Sequence, residues 1–163
     1  MNNALDWQIY VMSAQIVGKL RQNGLWLSVA ESCTGGALGA ALTAIEGSST
    51  CFGYGIISYS NQAKIELLNV DPEILTKYTA VSRETALAMA EGVQKLSGSD
   101  ISLSITGYAG PDGGDAQNPL GTVYFGVIYG QVKEAFCRLL DGDREEIRKQ
   151  AVLRGLTKLY DMI

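Results

Sequence analysis

Two short segments of this chain carry the residue types of a nucleophile and its base. The first is Ala30-Glu31-Ser32-Cys33-Thr34-Gly35-Gly36, between a strand-like stretch, Leu25-Trp26-Leu27-Ser28-Val29, and a helix-like one from Ala37 to Ala44. A strand that breaks into hydroxyls and glycines before a helix gathers side-chain oxygens and free backbone N–H groups at one point. That point carries the positive end of the helix dipole, where a phosphate, a carboxylate or a developing oxyanion is stabilised. Ser32 is the candidate nucleophile. The same residues also suit a structural use, with Ser32 or Thr34 capping the helix and Gly35 and Gly36 turning the chain. Cys33 is a rival nucleophile, because thiol pKa values fall at helix N-termini, but a small buried hydrophobe is its commoner role.

The second segment is Tyr59-Ser60-Asn61-Gln62-Ala63-Lys64. Tyr59 closes a strand-like stretch, and Lys64 falls in the turn or first helical turn after it. A lysine beside a serine hydroxyl serves as its base when its pKa drops well below the usual value of about 10.4. Burial and a positive helix end act in that direction. Tyr59 could orient the serine, relay a proton or donate to an oxyanion. A solvated helix lysine and a strand-edge tyrosine are the plainer alternatives. The chain contains no histidine. Ser-His-Asp and Cys-His catalysis within this chain are therefore excluded, and the commonest protein metal ligand is missing. No Cys-x-x-Cys pair replaces it, so neither a metal nor a cofactor is expected.

A third set of residues could hold a ligand. Thr106-Gly107-Tyr108-Ala109-Gly110-Pro111-Asp112-Gly113-Gly114 continues to Gly121, placing five glycines between Gly107 and Gly121. Glycine allows close backbone approach, and such a loop after a strand is a plausible nest for a phosphate or sugar. It is neither a Walker motif nor Gly-x-Gly-x-x-Gly, so ATP or dinucleotide binding is not supported. Gly142-Asp143-Arg144 opens the last helix, with Arg148 one turn on. The Arg144 guanidinium suits a phosphate, or it pairs with nearby Glu145 or Glu146.

The elements that must position these residues are legible in outline. Ile9, Met12, Ile16 and Leu20 predict an amphipathic helix over about 5–23, ended by Asn23-Gly24. Tyr54–Ser60 reads as a strand, and about Ala63–Leu68 as a short helix. Asp71-Pro72 restarts the chain. Ser82 reads as the cap of a helix to about Leu96. Ile101-Ser102-Leu103-Ser104-Ile105 alternates as a strand does. Thr122–Tyr129 and Val132–Leu139 flank Gly130-Gln131 as a β-hairpin. Asp143 and Glu146 form a capping-box pattern before a helix to about Tyr160. Trp7 and Trp26 read as core residues. Helices alternate with strands until the hairpin, which predicts an α/β fold. Its form is a three-layer α/β/α sandwich with a mostly parallel mixed sheet containing one antiparallel strand. In such sheets ligands bind beyond the carboxyl ends of the parallel strands, so Ser32–Gly36, Ser60–Lys64 and Thr106–Gly121 should converge.

Composition sets the outer bounds. The 163 residues, 47% hydrophobic and 18% charged, predict a single domain over 1–163 with a real core. A formal charge of −4 and no lysine/arginine-rich run argue against nucleic acid as a partner. No apolar stretch approaches membrane-spanning length, no secretory signal is evident, and the three cysteines are too scattered for a disulfide framework. A cytoplasmic protein without a membrane partner is expected.

Five ordered blocks then stand out together. Ala30-Glu31-Ser32-Cys33-Thr34-Gly35-Gly36, Tyr59-Ser60-Asn61-x-Ala63-Lys64, Thr106-Gly107-x-Ala109-Gly110-Pro111-Asp112-Gly113-Gly114, Pro119-x-Gly121-Thr122-Val123 and Gly142-Asp143-Arg144 resemble the CinA C-terminal domain family. The resemblance runs from about Ala14 to Leu159. It implies a three-layer α/β/α fold and, from the stand-alone members, hydrolysis of the carboxamide of nicotinamide mononucleotide to nicotinate mononucleotide and ammonia in pyridine-nucleotide recycling. It places the family's serine, tyrosine and lysine on Ser32, Tyr59 and Lys64. The expected substrate contacts are Thr34, Gly35, Gly36, Thr106, Gly107, Gly110 and Arg144, with an oxyanion held by N–H groups around Thr34–Gly36 and that of Gly107. Larger members carry a metal-dependent pyrophosphatase domain, an activity not carried over to these residues. Tyr108 departs from the small or aliphatic residue usual at its position, where it could narrow the pocket or stack on a ring. The resemblance and the apolar helices point to a homodimer. A non-catalytic nucleotide-binding module and an amidase for a different amide are the competing readings.

Overall fold

The computed structural model describes residues 3–163. In chain order the elements are α1 (Asn3–Asn23), β1 (Leu27–Glu31), α2 (Ala37–Thr43), β2 (Phe52–Ile57), α3 (Asn61–Leu68), α4 (Pro72–Tyr78), α5 (Arg83–Ser97), β3 (Ile101–Gly107), β4 (Thr122–Tyr129), β5 (Val132–Leu139) and α6 (Arg144–Met162), with a 3-10 turn at Ser48–Thr50. The strands form one five-stranded sheet in the order β2-β1-β3-β4-β5. β1 is parallel to β2 and β3, whereas β4 is antiparallel to both β3 and β5. Only β4, the first arm of the hairpin, therefore runs against the rest. Helices α1, α2 and α6 cover one face, and α3, α4 and α5 the other. This is the expected α/β/α sandwich with its single antiparallel strand.

The strand β3 shows how the layers are held. Its residues Ile101, Leu103 and Ile105 are buried in the larger core with Ile16, Leu20, Val152 and Leu156. Each such side chain contributes roughly 1.5–3 kcal/mol by leaving water. The alternating serines suggest a solvated second face, but that face is buried too. Ser102 Oγ donates to the Ala90 carbonyl at 2.8 Å, and Ser104 Oγ to the Ala86 carbonyl at 2.5 Å, both on α5. Small alanines let α5 approach closely, and the hydroxyls find acceptors, so burying them is not penalised.

Element boundaries moved where polar residues leave the sheet to build caps. β1 runs on to Glu31, so Ser32 stands at the strand's end rather than in a free loop. β2 stops at Ile57; Ser58 N–H donates to the Glu31 carbonyl at 2.8 Å. Ser60 caps α3, accepting from Ala63 N–H at 3.0 Å. Asp71-Pro72, read only as a restart, is the start of α4: Asp71 accepts from Glu73 N–H and Pro72 opens the helix. The capping box of Asp143 and Glu146 is present. The two tryptophans are not core residues. Trp7 is 64% exposed and Trp26 45% exposed. Trp7 stacks on Tyr10 along the outer side of α1 at 5.8 Å, and Trp26 precedes β1 and lies over Gly53.

One glycine holds two helices in contact. A Cβ at Gly92, within α5, would sit 2.0 Å from the Leu68 carbonyl oxygen at the end of α3. Gly92→Ala is expected to lower stability by about 3 kcal/mol, because neither helix backbone can yield cheaply. Chemical denaturation reads this as a lower midpoint at unchanged slope.

Candidate active site

The three loops expected to converge do so at the carboxyl ends of β1, β2 and β3. Ser32 N–H donates to the Ile105 carbonyl at 2.9 Å, tying the elbow after β1 to the end of β3. Lys64, one turn into α3, reaches across beneath the end of β2. Its Nζ donates to Ser32 Oγ at 3.1 Å, to the Ser58 carbonyl at 2.8 Å and to the Tyr59 carbonyl at 3.4 Å. Lys64 is 1% exposed, and Ser32 8%. The solvated-lysine alternative is thereby overturned. Burial penalises the charged amine and lowers its pKa from 10.5 to about 8, so about a tenth of it is neutral at pH 7 against well under a thousandth for an ordinary lysine.

Tyr59 takes a different place from a relay. The ring is 59% exposed, and its hydroxyl accepts from Arg144 Nη2 at 3.1 Å. Lys64 meets Ser32 directly, without that hydroxyl between them. Arg144 also donates through Nη1 to the Gly110 carbonyl. This guanidinium therefore bridges the Tyr59 loop and the glycine loop, and it pairs with neither Glu145 nor Glu146 among the salt bridges of the described residues.

The start of α2 is already occupied. The buried Glu31 carboxylate accepts from Gly36 N–H at 3.1 Å, Leu38 N–H at 3.0 Å and Gly39 N–H at 2.8 Å. Gly36, at φ 96°, is the cap residue, and no side-chain hydroxyl caps the helix. Neither Ser32 nor Thr34 has the capping role that was the plain alternative. Gly35 N–H is bound to the Ser32 carbonyl at 3.0 Å. The N–H groups of Gly35 and Gly36 thus have protein acceptors, and an anion at this helix end would meet Glu31.

The remaining predicted residues fall as follows. Thr34 is buried, and its Oγ1 has no hydrogen-bond partner among the described residues. Thr106 Oγ1 donates to the Ala80 carbonyl at 2.7 Å, a bond to the loop before α5. Gly107 is pressed against the backbone of Thr122 and Val123, which leaves no room for a side chain. Gly110 is buried with its carbonyl held by Arg144. Tyr108 packs its ring over Gly113. Cys33 belongs to the buried core, and its thiol is pushed up to about 12, chiefly by burial and then by Glu31. That environment opposes a thiolate nucleophile.

Sequence reasoning missed three partners. Glu31 stood inside the first motif without a role, although a carboxylate at the end of a buried strand is a signal that something must satisfy it. Ser58, whose carbonyl anchors Lys64, left no side-chain signature. Arg148 was noted only for its spacing from Arg144. Beside these loops lies a groove of about 780 Å³ between α1, α2 and α6, with Arg144 and Arg148 on its wall. Ser32 and Lys64 do not line it, so the groove's size carries no catalytic argument. Among the described residues no three cysteine or carboxylate groups converge to hold a metal, and no helix is long and apolar enough to cross a membrane.

A mixed-sheet α/β/α domain with a serine at a strand-to-helix elbow and a buried lysine against it defines the class. The CinA C-terminal domain model matches residues 10–163, and the chain belongs to that family. A nicotinamide-nucleotide amidohydrolase PncC of Enterobacter agglomerans is 44% identical over 159 residues, covering 96% of each chain. A CinA-like protein of Kosmotoga olearia is 49% identical over 142 residues, covering 86% of this chain and 34% of that one. The chain spans about a third of the length of several such curated relatives. The crystal structure of a competence-damaged protein (CinA) superfamily protein from Escherichia coli superposes with a TM-score of 0.92 at 35% identity, covering 95% of this chain and 90% of that one.

Proposed function

We propose that this chain hydrolyses the carboxamide of nicotinamide mononucleotide, giving nicotinate mononucleotide and ammonia, with Ser32 as nucleophile and Lys64 as base. The observation that carries this reading is the buried contact of 3.1 Å between Lys64 Nζ and Ser32 Oγ. The PncC relative, matched over nearly its whole length, supports the choice of substrate. Neutral Lys64 takes the proton as Ser32 Oγ bonds to the carboxamide carbon. The tetrahedral intermediate collapses, and the amine leaves as ammonia with the proton Lys64 returns. Lys64 then draws a proton from water, which attacks the acyl ester, frees nicotinate mononucleotide and restores Ser32.

Tyr59 supports this chemistry from two sides. Its carbonyl helps hold Lys64, and its hydroxyl joins Arg144 at the exposed rim. Arg144 keeps further N–H donors for the substrate's phosphate, where its planar fork fits. Arg144→Ala is expected to raise KM for nicotinamide mononucleotide by roughly tenfold or more, as loss of a charged hydrogen bond does, and to change kcat little. The same substitution should leave the KM for nicotinamide riboside, which has no phosphate, nearly unchanged.

The reading is tested by ammonia release from nicotinamide mononucleotide with a chelator present. Steady turnover is expected. Saturable binding without ammonia would favour a nucleotide-binding module, and turnover indifferent to the phosphate would favour another amide.

A further inference from the structure

We propose that the ring of Tyr59 is the face on which the substrate's cationic pyridinium stacks, and that this contact selects the oxidised nicotinamide ring over its neutral dihydro form; this rests on the amidase reading. Tyr59 touches both ends of the site. Its carbonyl accepts from Lys64 Nζ at 3.4 Å, and the same Nζ lies 3.1 Å from Ser32 Oγ. Its hydroxyl accepts from Arg144 Nη2 at 3.1 Å. The ring therefore spans the gap between the nucleophile and the guanidinium proposed for the phosphate. In nicotinamide mononucleotide the pyridinium has the same place, with the carboxamide on one side and the ribose phosphate on another. With the carboxamide carbon at Ser32 and the phosphate at Arg144, the pyridinium passes beside Tyr59.

The ring is free to receive it. Tyr59 is 59% exposed. Among the described residues no aromatic ring stacks on it, and no lysine or arginine lies over its face. Elsewhere such a face is taken: Lys19 Nζ lies 3.8 Å from the centre of the Tyr160 ring. Tyr108, the other aromatic residue of these loops, is engaged with its own loop at Gly113. A pyridinium also needs a group that answers its charge. Glu31, the carboxylate of the first motif, is 2% exposed and spent on the N–H groups of Gly36, Leu38 and Gly39. The negative face of an aromatic ring attracts a cation through its quadrupole, and offset stacking adds contact area. The dihydropyridine ring is uncharged and no longer aromatic, so it forfeits both.

Calorimetric titration of Ser32→Ala tests this, because that substitution lets nicotinamide mononucleotide bind without turnover. The probes are nicotinamide mononucleotide and dihydronicotinamide mononucleotide, which share the carboxamide and the phosphate. The oxidised form should bind about tenfold more tightly. Adding Tyr59→Leu should remove most of that preference at the expense of the oxidised form, leaving the dihydro form within about twofold. Tyr59→Phe keeps the ring and should keep the preference. Equal affinities in Ser32→Ala itself overturn the proposal without any change at Tyr59. So does a preference that survives Tyr59→Leu, an equal loss for both probes, or a preference lost in Tyr59→Phe. Absence of ammonia from folded wild type instead overturns the amidase reading itself.

Discussion

Ser32→Ala is expected to abolish ammonia release, lowering kcat by at least about ten-thousandfold while nicotinamide mononucleotide still binds. Removing a nucleophile leaves only binding and electrostatic stabilisation, and in serine hydrolases that residue of catalysis is small. The substitution should disturb the fold little. Lys64 Nζ keeps the Ser58 and Tyr59 carbonyls as acceptors, so a single lost hydrogen bond costs about 1 kcal/mol. Calorimetric titration with the mononucleotide separates the two effects: affinity within a few-fold of wild type, turnover absent. Turnover near wild type would remove Ser32 from the mechanism. Cys33 would not replace it, since its buried thiol is held protonated up to about pH 12.

Lys64→Met has the second large effect, a loss of about a thousandfold in kcat/KM, within the range general bases contribute. Methionine fills similar space without a basic nitrogen. The same variant exposes the lysine's linkage to folding. Its folded pKa of about 8 lies below the ordinary 10.5, so between those values the unfolded chain binds more protons than the native one. Stability due to this group therefore grows as pH rises through that window and is flat below it. Denaturation of wild type and Lys64→Met in parallel should show the difference between them moving toward wild type from about pH 8 to pH 10.5. A difference constant with pH would mean the buried lysine is not depressed.

How much was visible in the sequence depends on which bonds carried the information. Side-chain signatures were readable: the caps at Ser82 and Asp143, the hairpin around Gly130, and the meeting of Ser32 with Lys64. Backbone accounting was not. Ser102 and Ser104 look like surface alternation until α5 is known to offer them carbonyls. The start of α2 looked vacant because nothing in the order of residues says that Glu31 folds back over three N–H groups. Tyr59 stood in the right loop, yet the direction of its hydroxyl follows from Arg144, 85 residues away. The tryptophans failed for the opposite reason. Aromatic mass favours burial on average, but α1 turns Trp7 outward and Trp26 sits before the sheet begins.

The central claim is that neutral Lys64 draws the proton from Ser32. The most direct test is the pH dependence of kcat/KM for ammonia release, measured from about pH 6 to pH 10 with chelator present. The account predicts a rise of about tenfold per pH unit at low pH that levels near the lysine's pKa of about 8. A flat profile over that span would contradict it.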